Sequence, residues 1–506
     1  MRFDMKKKSL YLIALTFLFL TSCAEEVIAD GPSKREFRGA WIQCVNGQFL
    51  GMGTEKMQST LTYQLDELQK DGVNAIIFQV RPECDALYPS PYEPWSRFLT
   101  DRQGTVPVPY WDPLQWMITE CHKRGMELHA WINPFRAKTA VTKELSPSHI
   151  ARQHPERVFS YNGLLILNPA YQENRTYICN VTADILRRYD VDGLHIDDYF
   201  YPYPVAGHNI PDDALFRADS RGFSNIGDWR RNNVDMFIQQ LHDTIQSIKP
   251  WVKFGVSPFG IYRNKRSAEN GSNTNGLQNY DDLYADILLW IKNGWIDYCV
   301  PQLYWEIGHK AADYATLIEW WNANAGGRPL FIGEDIERTV KFRDLADQQH
   351  DQMVAKFQLH RNMPNVSGTV LWYAKAAVDN TGNYGSRLRT NYWRYPALQP
   401  LMPFIDNKIP GKPNKLKAVW TADGYMLFWT APKSRNWRDE AHSYVVYRFA
   451  KGEKIDISDP SRIIAITYDT WIKLPYEDGK NSFTYVVTSL DRLSNESKIA
   501  KRKVKL

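Results

Sequence analysis

The chain has 506 residues, which is long enough for one large domain and a smaller one. Its shares of 24% charged and 43% hydrophobic residues are ordinary for a globular protein and argue against extended disorder. The formal net charge of +5 is small for this length and is spread along the chain, which argues against nucleic-acid binding. The 18 Trp and 28 Tyr residues make the chain rich in aromatic rings, which stack on sugars but also fill protein cores.

The first 23 residues have the pattern of an export signal. Lys6–Lys8 precede an apolar run over residues 10–20, which ends in Leu20-Thr21-Ser22-Cys23. A basic start, a short apolar run and small residues before a cut are typical of a signal peptide rather than of a membrane span. The last four residues resemble a bacterial lipobox, which predicts that Cys23 carries a lipid and anchors the protein to a membrane of the bacterial cell envelope, with residues 24–35 as a tether. The alternative is an ordinary signal peptide that happens to end near a cysteine.

The other five cysteines are scattered and show no metal-type spacing. Most of them lie in apolar segments, so we expect buried free thiols rather than a disulfide framework. They are Cys44, Cys84, Cys121, Cys179 and Cys299.

From residue 36 to residue 405, short apolar segments alternate with amphipathic ones. One predicted helix begins at Asp112-Pro113, with Asp as the N-cap and Pro in the first turn, and runs to Arg124 before Gly125. Eight strands joined by helices predict an α/β fold with a parallel sheet, and eight is the number that closes a (β/α)8 TIM barrel. The candidate strands are 37–44, 74–81, 126–132, 191–197, 252–258, 297–304, 329–334 and 367–373.

Within several of these strands, polar and aromatic residues occupy every second position and aliphatic residues occupy the positions between them. The two sets of positions have opposite parity. Barrel strands send alternate side chains to the lumen and to the surrounding helices, so the polar parity should face the lumen. An unpaired polar group in a packed core costs roughly 2–7 kcal/mol, so these side chains must satisfy one another or meet a ligand. The C-terminal ends of barrel strands are where TIM-barrel enzymes place their chemistry.

The composition and hydrophobic pattern of the sequence change after residue 405. Residues 406–414 are polar and contain Pro410, Gly411 and Pro413, which indicates a linker. Residues 415–506 read as short alternating strands with turns between them, which predicts a small all-β sandwich. Two of the strands resemble those of a fibronectin type III module: Tyr444-Val445-Val446-Tyr447-Arg448 and Phe483-Thr484-Tyr485-Val486-Val487-Thr488.

A series of motifs within residues 36–400 resembles the glycosyl-hydrolase-like 10 family of bacterial lipoproteins. The resemblance implies a (β/α)8 fold, hydrolysis of glycosidic bonds in a polysaccharide and no cofactor. It further implies bacterial cell-wall glycan as a substrate, since at least one branch of the family acts on peptidoglycan strands stripped of their stem peptides. The motifs include Phe37-Arg38-Gly39-Ala40-Trp41, Phe78-Gln79-Val80-Arg81, Tyr110-Trp111-Asp112-Pro113-Leu114, Gly125-Met126-Glu127-Leu128-His129-Ala130-Trp131, Asn133-Pro134 and Asp192-Gly193-Leu194-His195-Ile196-Asp197-Asp198-Tyr199-Phe200-Tyr201-Pro202.

Glycoside cleavage needs a carboxylic acid that protonates the leaving oxygen and an ionised carboxylate that acts as nucleophile or activates water. Asp197 ends the fourth strand on the lumen parity and is the first candidate for the carboxylate. Asp198 has the opposite parity. It can still reach the site if the twist relaxes at the end of the strand; the alternative is that its carboxylate accepts backbone N–H bonds in the following loop or pairs with an Arg. For the acid, the lumen parity of Glu306 favours it over Glu334.

Other polar and aromatic residues near the strand ends are candidates for binding the glycan, although a structural role is the alternative for both histidines. An ion pair with Arg81 is expected for Glu83, and parity places Trp305 and Trp372 under the helices. The long loop from Tyr199 to about Asn225 is predicted to form a wall of the glycan groove. The binding candidates are Trp41, Gln79, Arg81, His129, Trp131, Asn133, His195, Tyr199, Gln302, Tyr304 and Tyr373.

Two other classes of function compete with this interpretation. A metal-dependent hydrolase would use His and Asp ligands in the lumen, but the first strand offers Trp41 and Gln43 in place of a His-x-His pair, so no catalytic metal is expected. A non-catalytic glycan-binding lipoprotein would not need several carboxylates that converge at one end of the barrel.

Overall fold

The computed structural model describes residues 33–476 and 478–506. The predicted signal peptide with Cys23 and nearly all of the predicted tether lie outside these residues. No helix within the described part of the chain is long and apolar enough to cross a membrane. The described residues belong to one compact unit, Pro32–Leu506.

Eight parallel strands close into a barrel, which confirms the predicted fold class. Their order around the barrel is β1-β11-β10-β9-β8-β7-β3-β2. All eight predicted strands are present, and β9 is the shortest. Three further strands between β3 and β7 form a small antiparallel sheet in the order β4-β6-β5, which was not predicted from the sequence. The bounds are β1 Phe37–Ile42, β2 Ala75–Arg81, β3 Glu127–Ile132, β4 Arg136–Lys138, β5 Val158–Tyr161, β6 Leu164–Leu167, β7 Gly193–Ile196, β8 Lys253–Val256, β9 Tyr298–Cys299, β10 Leu330–Asp335 and β11 Val366–Trp372.

Helices connect the barrel strands and bury one face against them. The predicted helix begins as expected, because the carboxylate of Asp112 accepts the backbone N–H of Gln115 at 3.1 Å and Pro113 occupies the first turn. The helices are α1 Thr54–Lys70, α2 Arg97–Thr100, α3 Pro113–Lys123, α4 Ile150–Gln153, α5 Gln172–Arg188, α6 Asp213–Ala218, α7 Ile226–Ile248, α8 Asn279–Asp282, α9 Ile287–Lys292, α10 Tyr314–Ala323, α11 Ile336–Lys341, α12 Met353–Asn362, α13 Ala374–Val378 and α14 Tyr384–Arg387.

The lumen is packed rather than open along its length. Apolar and aromatic side chains of one parity meet there, among them the rings of Phe37 and Phe331, which stack with centroids 4.1 Å apart. Five buried free cysteines agree with the prediction that the chain has no disulfide framework.

The C-terminal residues form two antiparallel sheets that face each other, as predicted for a sandwich. One sheet has the order β12-β13-β16 and the other β15-β14-β17-β18. The sandwich lies on the N-terminal face of the barrel, where Arg492 donates to the carboxylate of Asp190 at 2.7 Å. A Cβ at Gly125 would lie 2.4 Å from the carbonyl oxygen of Ile466, so only glycine permits this approach. The strands are β12 Asn414–Thr421, β13 Gly424–Thr430, β14 Ser443–Ala450, β15 Ile463–Thr467, β16 Trp471–Lys473, β17 Ser482–Leu490 and β18 Ala500–Lys505.

Candidate active site

A chain of hydrogen bonds runs through the deep part of the lumen. Lys253 pairs with Glu127, whose other oxygen lies 3.0 Å from Nε2 of His129. Nδ1 of His129 lies 2.7 Å from the hydroxyl of Tyr298, which lies 3.1 Å from Nδ1 of His195. Burial holds the pKa of His195 well below its usual value, so this ring is neutral.

Both histidines are fully buried, and their ring nitrogens are bonded to the protein. Nε2 of His195 accepts from the indole of Trp41 at 3.3 Å and lies 3.0 Å from the hydroxyl of Ser257. The placement of His129 and His195 therefore does not support their predicted contact with sugar hydroxyls and favours the structural alternative.

An aromatic layer lies above the buried histidines. The ring of Trp41 contacts Tyr304 and Trp372 at centroid distances of 6.5 and 6.0 Å. Tyr304 stacks on Trp372 at 5.9 Å. The prediction that Trp372 lies under the helices is wrong, because this ring packs against the lumen cluster. Tyr373, one of the predicted ligand contacts, is the N-cap residue of the short helix α13, and its contact with a ligand stays a prediction.

Asp197 follows β7 and receives donors from the neighbouring strand. Trp131 pairs in register with His195, so Asn133 lies beside Asp197 at the C-terminal end of the barrel. The amide of Asn133 donates to both carboxylate oxygens at 3.1 and 3.0 Å, and the indole of Trp131 donates at 3.1 Å. Burial raises the pKa of Asp197, and the nearby guanidinium of Arg136 opposes that shift.

Asp198 is equally buried but has a different set of partners. The phenol of Tyr203, in the loop after β7, donates to one carboxylate oxygen of Asp198. Burial and the charge of Asp197 raise the pKa of Asp198 to about 7, while hydrogen bonds from Tyr203 and Gln302 oppose the shift. The structure therefore brings two adjacent carboxyl groups together, of which Asp198 carries a proton over part of the neutral pH range.

Three more residues line this end of the barrel. The backbone N–H of Tyr199 donates to Asp197 at 3.3 Å, and the guanidinium of Arg136 lies 4.9 Å from the centre of the Tyr199 ring. Within the described residues Nη2 of Arg136 is buried without a hydrogen-bond partner. The amide of Gln302 donates to the carbonyl of Ser257 at 2.9 Å, which holds it beside Asp198.

Sequence reasoning missed Arg136, Tyr203 and Ser257. Tyr203 lies in the aromatic segment after the two aspartates, and that position was the available signal. Arg136 follows the Asn133-Pro134 motif, and the side chain of Asn133 accepts the backbone N–H of Arg136 at 2.9 Å. Asn-Pro signals a turn, but it does not indicate that the guanidinium comes near Asp197.

Glu306 lies beyond the end of β9, at the rim of the barrel. Its side chain is 16% exposed, and its nearest cation is Arg338 of α11 at 3.7 Å. Its Oε2 atom is buried and has no hydrogen-bond partner among the residues described.

Glu334 lies on the helix side of β10, away from the lumen. Its carboxylate accepts from Lys356 at 2.7 Å and from the hydroxyl of Tyr314 at 2.9 Å, and the hydroxyl of Thr339 also donates to it. A carboxylate held in this way on the helix side does not face a glycan at the barrel mouth, so the position of Glu334 argues against its predicted role as acid.

Two other predicted ligand contacts have partners within the protein, although Nε2 of Gln79 is buried and has none among the described residues. Arg81 is fully buried and pairs with Glu93 at 2.6 Å, so the expected pairing with Glu83 is wrong. The carbonyl oxygen of the Gln79 side chain accepts the backbone N–H groups of Cys44 and Val45 at 2.9 and 3.0 Å.

Comparisons with known proteins identify the family of the chain. The family described as "Glycosyl hydrolase-like 10" matches residues 36–340. "Glycosyl hydrolase YngK" of Bacillus subtilis is 39% identical over 488 residues, which cover 94% of this chain and 95% of that protein. "Glycosyl hydrolase DigH" of Escherichia coli is 37% identical over 335 residues, which cover 62% of this chain and 75% of that protein.

Among solved structures, this chain is also similar to the PgaB (BpsB) glycoside hydrolase domain from Bordetella bronchiseptica, at 11% identity and a TM-score of 0.46. The superposition covers 70% of this chain and 98% of the PgaB chain. The extent of the family match and the length of the YngK alignment decide the assignment. The chain belongs to the glycosyl hydrolase-like 10 family and is a glycoside hydrolase.

Proposed function

We propose that the enzyme cleaves O-glycosidic bonds in the glycan strands of bacterial peptidoglycan, with Asp197 as the ionised carboxylate and Asp198 as the acid. The observation that carries this proposal is the pair of adjacent carboxyl groups at the C-terminal end of β7 with unlike surroundings. Three donors from Trp131, Asn133 and the backbone surround Asp197.

The two carboxyl groups divide the work that glycoside cleavage requires. Asp198, whose pKa is raised to about 7, holds the proton that the leaving oxygen must receive. The charge of Asp197 keeps that proton on its neighbour and stabilises the positive charge that develops on the sugar in the transition state. The fixed donors on Asp197 orient its carboxylate before substrate arrives.

Glu306 is a second candidate for the acid. The buried Oε2 atom of Glu306 faces Arg338 at 3.7 Å but has no hydrogen-bond partner among the described residues. In the protonated form this oxygen would donate to the leaving oxygen of a bound glycan. Glu306 also has the lumen parity on which the sequence prediction rested.

Two arguments support peptidoglycan as the substrate. The motifs of residues 36–400 resemble a family with a cell-wall-active branch, and the predicted lipid anchor at Cys23 would hold the enzyme in the cell envelope, beside the cell wall. Mass spectrometry of the mature N-terminus tests the anchor: we expect a lipidated Cys23, and an unmodified N-terminus at another residue would contradict it.

The test of the activity is release of reducing ends from intact peptidoglycan and from peptidoglycan whose stem peptides have been removed, with chitin and mannan offered in parallel. We expect wild type to act on the peptide-free strands, and Asp197→Asn to lose at least about 1000-fold in kcat, about 4 kcal/mol of transition-state stabilisation. Asp243→Asn, an exposed helical carboxylate, is the matched control and should retain full activity. Equal release by wild type and Asp197→Asn would refute the assignment.

An activated aryl glycoside separates the two candidate acids, because a leaving group of low pKa needs no proton. The variant of the true acid should lose activity on the polysaccharide but keep most of it on the aryl glycoside. We expect this behaviour from Asp198→Asn and not from Glu306→Gln.

The competing functions give different results in the same assay. A glycan-binding protein would sediment together with insoluble peptidoglycan. It would release no reducing ends from any of the four polymers. A metal-dependent hydrolase would lose activity with a chelator and recover it with a divalent metal; the bonded ring nitrogens of His129 and His195 argue against these side chains as its ligands.

A further inference from the structure

A cluster of two histidines and an aspartate lies at the opposite end of the barrel from the proposed active site. His122 is in the last turn of α3, Asp192 precedes β7, and His442 precedes the sandwich strand β14. One atom from each side chain lies within 4.8 Å of the other two. The cluster therefore joins two segments of the barrel to one segment of the sandwich.

The geometry leaves one histidine without a proper hydrogen bond. Nε2 of His122 lies 2.9 Å from one oxygen of Asp192, and the backbone N–H of Leu128 donates to the same oxygen at 2.8 Å. Nε2 of His442 lies 3.5 Å from the other oxygen, which is too long for a good hydrogen bond. This nitrogen is buried and has no hydrogen-bond partner in the described part of the protein.

These separations suit a shared metal ion. A tetrahedral ion with bonds of 2.0–2.1 Å places neighbouring ligand atoms about 3.3 Å apart. The 2.9 and 3.5 Å separations join the two Nε2 atoms to different oxygens of Asp192, so its carboxylate faces both rings. A small rotation of this side chain would bring one oxygen and both nitrogens towards that spacing. Two imidazoles and one carboxylate are a donor set that Zn²⁺ and its first-row neighbours prefer.

The surroundings enclose the cluster and fix its rings. Tyr468 of the sandwich stacks on His122 with centroids 4.2 Å apart and meets His442 edge-on at 4.9 Å. The side chain of Asp192 is 5% exposed, and those of His122 and His442 are 14% and 13% exposed. Each ligand is thus oriented by neighbours, as protein metal sites require.

We propose that His122, Asp192 and His442 bind one divalent transition metal ion, with zinc as the best fit, which joins the sandwich to the N-terminal face of the barrel. The site is structural. Asp192 and Asp197 stand at the two ends of β7, so about five residues at roughly 3.3 Å each, or about 16 Å, separate the metal from the proposed chemistry. This inference does not depend on the identity of the substrate.

The test uses the full chain purified through a tag without histidine, treated with a chelator and then titrated with Zn²⁺ alone. We expect one equivalent to bind per chain, and Co²⁺ in its place to give the strong visible absorption of a tetrahedral site. His442→Ala removes the ligand from the sandwich and leaves the His122–Asp192 contact in place. It should weaken Zn²⁺ binding at least about 100-fold, since changes even to residues that only support a ligand cost 10–100-fold.

His208→Ala, which removes an exposed histidine of the loop after β7, is the matched control and should bind Zn²⁺ as wild type does. Zn²⁺ should raise the melting temperature of wild type and of His208→Ala, and leave that of His442→Ala unchanged. Failure of the wild-type chain to bind Zn²⁺ at 100 µM would overturn the proposal in favour of a simple hydrogen-bonded cluster. Equal binding by wild type and His442→Ala would overturn it as well, because the metal would then lie elsewhere.

Discussion

Replacement of Tyr203 by Phe tests whether Asp198 is the acid. The phenol of Tyr203 donates to the carboxylate of Asp198, and this hydrogen bond favours the ionised form and keeps the pKa from rising above about 7. Tyr203→Phe deletes this one donor and leaves the ring. The pKa of Asp198 should therefore increase.

The size of the increase follows from the strength of the hydrogen bond. A hydrogen bond to a charged group contributes about 1.5–3 kcal/mol, and one pKa unit corresponds to about 1.36 kcal/mol. The loss of this bond should raise the pKa by about 1–2 units. Because an acid must be protonated to act, activity is lost on the alkaline side as Asp198 ionises, so the alkaline limb should move up by the same amount.

The assay is kcat/KM against pH from 4 to 10, because this ratio reports the ionisations of the free enzyme. Tyr201→Phe is the control: its phenol accepts from the amide of Asn233 at 3.0 Å, so its alkaline limb should stay at the wild-type position. An alkaline limb that stays in place or moves down in Tyr203→Phe would refute Asp198 as the acid. An unmoved limb would leave Glu306 as the remaining candidate.

Three further predictions concern the buried carboxyl groups. Because the pKa of Asp198 is raised to about 7, the folded state binds more protons than the unfolded state between about pH 4 and 7. Asp198 therefore destabilises the folded state increasingly as the pH rises through that window. Asp198→Asn should therefore be more stable than wild type at pH 8 by up to about 4 kcal/mol and equal to it at pH 4, as measured by denaturant unfolding; a deficit at pH 8 would contradict this. Glu334→Gln should lower the free energy of unfolding by about 3–5 kcal/mol, because it leaves Lys356 buried without its ionic partner, and the double change with Lys356→Met should recover part of the loss. Folded Glu334→Gln should keep wild-type kcat in the reducing-end assay, and a large loss of kcat would return Glu334 to the list of acids.

The barrel was predictable from the sequence because its signals are local. Strand lengths, the alternation of side chains and the Asp-Pro start of α3 each depend on neighbouring residues, and all eight strands are where these patterns put them. The lumen parity of Asp197, Trp131 and Asn133 was predictable for the same reason, and the structure brings the three together.

Parity fails where a strand does not alternate. In β11 the sequence Thr369-Val370-Leu371-Trp372 places two aliphatic residues side by side, so the prediction from parity that Trp372 lies under the helices had a weak basis. The pairing of β11 with β1 and β10 determines which side chains face the lumen, and these include Val370 and Trp372. The pKa of Asp198 was equally hidden, since it depends on burial and on Tyr203, which reaches back from the loop.

Depth in the barrel, rather than parity, separates residues that can meet a substrate from those that cannot. His195 and Asp197 share a parity and stand two residues apart, yet His195 is bonded to Trp41 and Tyr298 in the packed lumen, while Asp197 stands at the strand end. The hydrogen-bonded chain that ends at Lys253 explains how several polar side chains occupy a packed lumen without a ligand. Polar residues of lumen parity are therefore evidence for a substrate site only when they lie in the last layer of the barrel, where Asp197 and its donors lie.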